Sequence, residues 1–168
     1  MKFGAASVRV EPLGTQHDRA SFACGNEALD HYLKERVTQD VRRGLARLFV
    51  ATTADDSART LGFFTLSATS IVASNLPSEV AKRLPRYPIP AALIGRLAAD
   101  REIAGRGLGG VLLMDAIEKA KVAARTIAIT VIVVDPIDDT AESFYAAFGF
   151  RSLQGPQRRM FLTLPLET

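Results

Sequence analysis

Arg96-Leu97-Ala98-Ala99-Asp100, followed by Ala104-Gly105-Arg106-Gly107-Leu108-Gly109-Gly110, reads as the end of a strand, a short turn, a glycine-rich loop and the opening of a helix. From Leu108 onward apolar residues return at helical spacing. Leu112, Ala116 and Ala120 form one row and Leu113, Ile117 and Ala124 the next, while Asp115, Glu118, Lys119 and Lys121 fall on the opposite arc. That is the pattern of an amphipathic helix half buried against a sheet. Glycines just before such a helix let several backbone N–H groups turn toward one point. The unpaired N–H groups of the first turn and the positive end of the helix dipole aim at the same place. The expected ligand is a phosphate or pyrophosphate.

A Walker loop would place Lys and then Ser or Thr after its last glycine, whereas Gly109 is followed by Gly110 and Val111. A dinucleotide loop belongs at the first strand–helix turn of a βαβ unit, with an acidic residue about 20 positions on. This loop lies past the middle of the chain, and the equivalent position falls in a helix end bearing Lys and Arg. Gly105-Arg106-Gly107-Leu108-Gly109 after a Leu-Ala-Ala strand instead resembles the acetyl-CoA loop of the GNAT superfamily of N-acetyltransferases. The resemblance implies that residues Ala104, Gly105, Arg106, Gly107, Leu108, Gly109 and Gly110 cradle the CoA pyrophosphate. Ala104 stands where the family has Gln or Arg, which removes one side-chain contact and leaves the backbone cradle intact.

With 168 residues, 48% apolar and 23% charged, the chain is expected to fold as one globular domain, residues 1–168. No apolar run approaches the roughly 18 residues of a membrane-spanning helix, and the N-terminal residues lack a signal-peptide core. A single cysteine, Cys24, excludes an internal disulfide and agrees with a cytoplasmic setting. The formal charge of +3 is mild.

In chain order, residues 6–11 read as a strand. Asn26 is a good N-cap for a helix running to about Val41, with Leu29, Leu33 and Val37 facing inward and Gly44 closing it. Leu48–Ala51 and Leu61–Ala68 form a hairpin around Asp55-Asp56-Ser57. A short helix fits between Ser78 and Leu84 in a proline-rich stretch. A strand then runs from Ala91 to Asp100 into the glycine loop. Ile127–Val134 has the unbroken apolar character of a strand covered on both faces. Asp139 and Glu142 are spaced like a capping box for a helix through Phe148, and Phe150–Leu153 and Arg158–Leu164 are closing strands. The order is βαββ-(α)-βαβαβ(β), a mixed α/β chain. It matches the GNAT fold, which has a central, mostly antiparallel sheet flanked by helices and binds acetyl-CoA at a splayed strand pair.

Acetyl transfer to an amine needs a held thioester, a polarised carbonyl, a neutral amine and a proton for the departing thiolate. A tyrosine is protonated at neutral pH and can be that acid. In Ser143-Phe144-Tyr145-Ala146-Ala147-Phe148-Gly149-Phe150, Phe144 and Phe148 are expected to enter the core while Tyr145 faces a cleft. This stretch resembles the Phe-Tyr-x-x-Phe-Gly-Phe signature of GNAT enzymes, whose tyrosine is the general acid. The resemblance also implies that the backbone N–H groups of Leu97, Ala98 and Ala99, where GNAT sheets splay, polarise the carbonyl. His17, His31 and Cys24 read as packing or surface residues, so no general base is evident. An α-amine, with pKa about 8, needs a base less than a lysine does, and the absence favours an α-amine acceptor. No metal is expected.

Lys34, Arg36, Arg42, Arg43 and Arg47 gather at the end of the first helix, and Lys82, Arg83, Arg86 and Arg96 near the prolines. Such clusters bind nucleic-acid phosphates or form a solvated face. Phe22-x-Cys24-Gly25-Asn26-x-x-Leu29-Asp30-x-Tyr32-Leu33, Gln39-Asp40-x-Arg42-Arg43, Phe49-Val50-Ala51, Tyr87-Pro88-x-Pro90 and Gly95–Asp100 resemble the toxin branch of GNAT proteins. Together with Phe144–Phe150 the resemblance spans most of the chain. It implies a type II toxin that acetylates the amino group of aminoacyl-tRNA and stops translation. It also implies a ribbon–helix–helix antitoxin as partner, no membrane partner and a homodimer in many members. Arg42, Arg43, Arg83 and Arg86 are then the expected tRNA contacts. Two rivals stand beside it: an ordinary GNAT enzyme acting on a small amine or protein N-terminus, and a non-catalytic RNA- or antitoxin-binding module.

Overall fold

The computed structural model describes all residues except 1, 5, 6, 87, 156 and 166–168. The start of the expected first strand at Ala6, and Tyr87 of the proline block, fall outside the described residues. The elements are β1 (Arg9–Pro12), α1 (Glu27–His31), a π-helical turn (Tyr32–Arg36), α2 (Val37–Arg42), β2 (Arg47–Thr52) and β3 (Gly62–Ile71). A 3-10 turn (Ala73–Asn75), α3 (Ser78–Ala81), β4 (Ile89–Ala99) and a second 3-10 turn (Arg101–Ile103) follow. The chain closes with α4 (Leu108–Ala123), β5 (Val131–Val134), α5 (Asp139–Ala147), β6 (Arg151–Ser152) and β7 (Met160–Thr163). The strands form a seven-stranded sheet in the order β1-β2-β3-β4-β5-β7-β6. β4 and β5 pair in parallel, and β1–β2, β2–β3, β5–β7 and β6–β7 are antiparallel. This is the mixed α/β chain that the element order predicts, with the mostly antiparallel sheet that the GNAT resemblance implies.

The chain divides into two compact units. One comprises Met1–Ser67 and Gly95–Ile117, the other Ala68–Ile94 and Glu118–Thr168.

In the first unit, the Asn26 side chain accepts the Leu29 N–H at 3.0 Å and starts α1. The helix does not stay α-helical: the Val37 N–H bonds the Tyr32 carbonyl, five residues back. Arg19 donates to the Leu33 carbonyl and to Thr38 Oγ1, both at 3.1 Å, and so braces that turn. Leu33 and Val37 are buried as expected, Leu29 is half-buried, and Tyr32 joins the core. Phe22, Val50, Phe63 and Ala98 complete the cluster, with Phe22 edge-on to Phe63 at 5.5 Å. Gly44, at φ +71°, closes α2 as expected. Gly62 is required by close approach. A Cβ there would lie 2.8 Å from the Ala98 carbonyl oxygen and 2.8 Å from Leu112 Cδ1.

In the second unit, Val131–Val134 are all buried, as the apolar run predicts. The strand begins four positions later than expected, because Thr126 and Ile127 N–H groups still bond the Ala123 carbonyl and Ile127 stands 58% exposed. The cap of α5 is Asp138, not Asp139; its carboxylate accepts the Ala141 N–H at 2.8 Å. Ile71, Ile89, Val131, Val133 and Phe161 form this unit's core.

On α4, Leu112, Leu113, Ala116, Ile117 and Ala120 are buried as predicted. The exposed row is Met114, Glu118 and Val122, and Asp115, Lys119 and Lys121 are only partly exposed.

Candidate active site

The first unit holds the end of β4 and the glycine loop. The Arg96 N–H donates to Thr65 Oγ1 at 3.0 Å and the Asp100 N–H to the Leu61 carbonyl at 2.8 Å, both toward β3. Backbone groups alternate sides along a strand, so the N–H groups of Leu97 and Ala99 turn to the opposite edge. The pairing of β4 with β5 stops at Ile94↔Val134, while β4 itself runs on to Ala99. Two neighbouring strand donors therefore point along an edge that the β5 ladder does not reach.

Asp100 fixes what comes next. It is 5% exposed, and its carboxylate accepts the Glu102 N–H at 2.9 Å and the Ala23 N–H at 3.2 Å. It thus caps the 3-10 turn and ties it to the loop ahead of α1, a role its place just after an apolar strand could have suggested. Gly105 and Gly107 then take φ of +80° and +82°, which side chains other than glycine rarely adopt. These two turns deliver the chain to α4, whose first N–H groups lack intrahelical acceptors. Arg106 lies with its guanidinium carbon 4.3 Å from the Phe3 ring centre, and its carbonyl accepts the Phe3 N–H at 2.6 Å. Ala104 is exposed beside the turn. A cleft of about 450 Å³ opens along the loop, lined by Val8, Val10, Gly107, Gly110, Val111, Met114 and Asp115, apolar except at Asp115. The sequence reading missed this apolar wall. Its only signal was the alternation of Val8 and Val10.

Arg96 is not a free member of the proline-side basic group. Its guanidinium lies 3.5 Å from the centre of the Tyr32 ring, and the Tyr32 hydroxyl donates to Asp40 Oδ2 at 2.9 Å. Burial, then the hydrogen bond to Asp40, push the Tyr32 phenol up to about 12. Arg42 and Arg43 are exposed at the end of α2 in the first unit, and Arg83 and Arg86 are exposed in the second.

Tyr145 belongs to the second unit, and here the expected facing is reversed. Tyr145 is 7% exposed, whereas Phe144 and Phe148 are only half-buried. Phe144 and Phe148 keep the i, i+4 spacing, with ring centres 5.2 Å apart, but share the half-buried face, and Gly149 at φ +95° turns the chain back. Phe150 then packs edge-on against Tyr145 at 5.6 Å, and Phe144 does the same at 5.2 Å. Burial first, and the Asp135 carboxylate second, push the phenol up to about 12. It stays protonated throughout the neutral range, with a proton to give.

The remaining polar groups are structural. His17 is buried between the Gly14 N–H, which donates to Nδ1 at 3.0 Å, and Glu11, 2.7 Å from Nε2. His31 is exposed. Burial pushes the Cys24 thiol up to about 11, far from a reactive thiolate. Among the described residues no cluster of His, Cys, Asp and Glu could hold a metal ion, and no helix is long and apolar enough to cross a membrane.

No family model matches the chain. It is 39% identical over 133 residues to a tRNA-acetylating toxin of Mycobacterium tuberculosis, covering 79% of this chain and 78% of that protein. It is 32% identical over 170 aligned positions to a probable toxin TacT of Sinorhizobium fredii, covering 96% and 93%. Among solved structures it resembles a mutant of KacT at TM-score 0.88, with 27% identity over 94% of this chain and 95% of that one. AtaT complexed with acetyl-methionyl-tRNAfMet follows at TM-score 0.86, with 28% identity over 93% and 94%. A mutant AtaT bound to the C-terminus of the antitoxin AtaR and to acetyl-CoA gives TM-score 0.79, with 25% identity over 94% and 93%. With relatives of 39% and 32% identity matched over most of their length, the chain belongs to the family of GNAT-type tRNA-acetylating toxins.

Proposed function

We propose that this chain is a single transferase domain that moves the acetyl group of acetyl-CoA onto the α-amino group of an aminoacyl-tRNA. It thereby stops translation in the cytoplasm, and a ribbon–helix–helix antitoxin restrains it. The observation that carries the reading is the edge of β4. The Leu97 and Ala99 N–H groups continue beyond the β5 pairing, and a helix start turned by Gly105 and Gly107 follows in the same unit. The relatives narrow the acceptor to charged tRNA.

In this reading the Leu97 and Ala99 N–H groups face the thioester oxygen, which gains negative charge as the amine nitrogen bonds to the carbonyl carbon. The Ala98 N–H, contrary to expectation, turns toward β3 like those of Arg96 and Asp100. Residues 104–110 hold the pyrophosphate at the start of α4. As the carbon–sulfur bond breaks, Tyr145 gives its proton to the leaving sulfur, and the proton lost by the amine returns through water. Arg42, Arg43, Arg83 and Arg86 bind tRNA phosphates.

Purified protein incubated with labelled acetyl-CoA, a pool of charged tRNA, uncharged tRNA and free amino acids tests this. The expected result is label on charged tRNA alone, released with the amino acid by mild base. Label on a free amine and none on RNA would make it an ordinary amine acetyltransferase.

A further inference from the structure

Thr52, Thr60 and Thr65 of the first unit are buried, and a hydroxyl taken out of water needs a partner. Thr52 and Thr60 find none among the described residues. Thr65, 2% exposed in β3, does: its Oγ1 accepts the Arg96 N–H at 3.0 Å. A β-branched residue is ordinary in a strand, so nothing in the sequence singles Thr65 out. A valine would fill the same space without offering an acceptor.

The place of this bond gives it a use beyond packing. β4 is held on its β5 side as far as Ile94, and from Leu97 to Ala99 it runs on past that ladder. Over this stretch its direction is set from the β3 side. The Asp100 N–H is fixed to the Leu61 carbonyl at 2.8 Å and the Arg96 N–H to Thr65 Oγ1, so the two bonds bracket Leu97 and Ala99. Arg96 is clamped a second time through its side chain, whose guanidinium carbon lies 3.5 Å from the centre of the Tyr32 ring. Peptide units are rigid planes that alternate in direction along a strand. Fastening the Arg96 N–H toward β3 therefore aims the next one, that of Leu97, at the opposite edge. Of the two bracketing bonds, only the one at Arg96 is made by a side chain.

We propose that Thr65 is a positioning residue for acetyl transfer, holding the Leu97 N–H on the thioester oxygen through the Arg96 peptide. The assignment rests on the reading of the β4 edge above. Thr65 acts on how strongly the thioester carbonyl is polarised, without touching a reacting atom.

Thr65→Val and Thr65→Ser test it, read by turnover on charged tRNA and by the infrared band of bound acetyl-CoA carrying carbon-13 at the thioester carbonyl. In the wild type that band should lie below its position for free acetyl-CoA in water. Thr65→Val should lose most of the shift, and kcat should fall roughly tenfold while KM for charged tRNA and acetyl-CoA affinity hold. Thr65→Ser keeps the acceptor and should return both to near wild type. Thr65→Val leaves a buried N–H unpaired and is expected to melt lower. Should it fail to fold, Thr65→Cys, whose sulfur is a weak acceptor, takes its place, with a smaller loss in the same direction. A role in packing alone would lower the melting point and leave kcat and the band of the folded protein where they were. That result, or a Thr65→Ser as slow as Thr65→Val, overturns the assignment and leaves the transferase reading standing. A wild-type band that does not move on binding overturns both.

Discussion

In the proposed mechanism Tyr145 is the proton donor, and its surroundings keep its phenol protonated. Buried against Phe144 and Phe150 and facing the charge of Asp135, its phenol is held up to about 12. Removing the hydroxyl leaves the ring packing in place, so Tyr145→Phe should keep acetyl-CoA affinity while kcat falls roughly 100-fold or more. Calorimetry and single-turnover rates separate the two. The acid does not titrate in the working range, so pH acts through the acceptor amine. We expect kcat/KM to rise with pH through the pKa of the acceptor α-amine, about 8, with no descending limb up to about pH 9 once the loss of charged tRNA to base hydrolysis is subtracted. A descending limb in that corrected range would assign the proton to another group. The sequence marked this tyrosine through its Phe-Tyr-x-x-Phe-Gly-Phe setting but reversed its facing. Spacing put Phe144 and Phe148 on one face, where their rings do meet at 5.2 Å, but with apolar residues on both faces it did not say which one is covered. Asp138 was missed as the cap because Asp138 and Asp139 adjoin and propensity does not distinguish them.

At the scale of elements, the strand–loop–helix unit was the most legible part of the chain. Glycines at 105 and 107 and the apolar rows of α4 each declare a local geometry. The edge of β4 was legible only by position, since a backbone donor leaves no mark in side-chain identity. Less visible still was how α4 meets the sheet, which depends on Gly62, more than forty residues earlier. There the missing Cβ lets Leu108 and Leu112 approach β3 beside the Ala98 carbonyl. Gly62→Ala would press a methyl into a backbone oxygen that has nowhere to move. The expected cost is about 2 kcal/mol, read as a melting point lower by roughly 5 °C. Because Leu108 opens α4, KM for acetyl-CoA should rise in the same variant. A variant that melts with the wild type would show that the two strands part easily at this point.

Over the whole molecule, the order of strands and helices followed from hydrophobic period and turn residues, while the division into two compact units did not. β3 and β4 each pass from one unit to the other without a break in their sequence pattern. Each unit also buries a tyrosine, Tyr32 in the first and Tyr145 in the second. Both phenols are raised from the ordinary value near 10 to about 12, so the folded state prefers them neutral. Their contribution to stability is complete below pH 10 and is lost as pH climbs through about 12. Thermal melts should therefore hold steady up to pH 10 and fall steeply between 10 and 12, with a shallower fall in Tyr145→Phe. The π turn at Tyr32–Arg36 bears on the ancestry of the chain. Such a turn takes up one residue more than the same span of α-helix, so it is how an insertion inside a helix survives selection. A relative that lacks the extra residue would align correctly only with a gap in mid-helix, where gaps are normally refused. With the gap moved into the loop between β1 and α1, every position from Glu27 to His31 would be compared with the wrong partner.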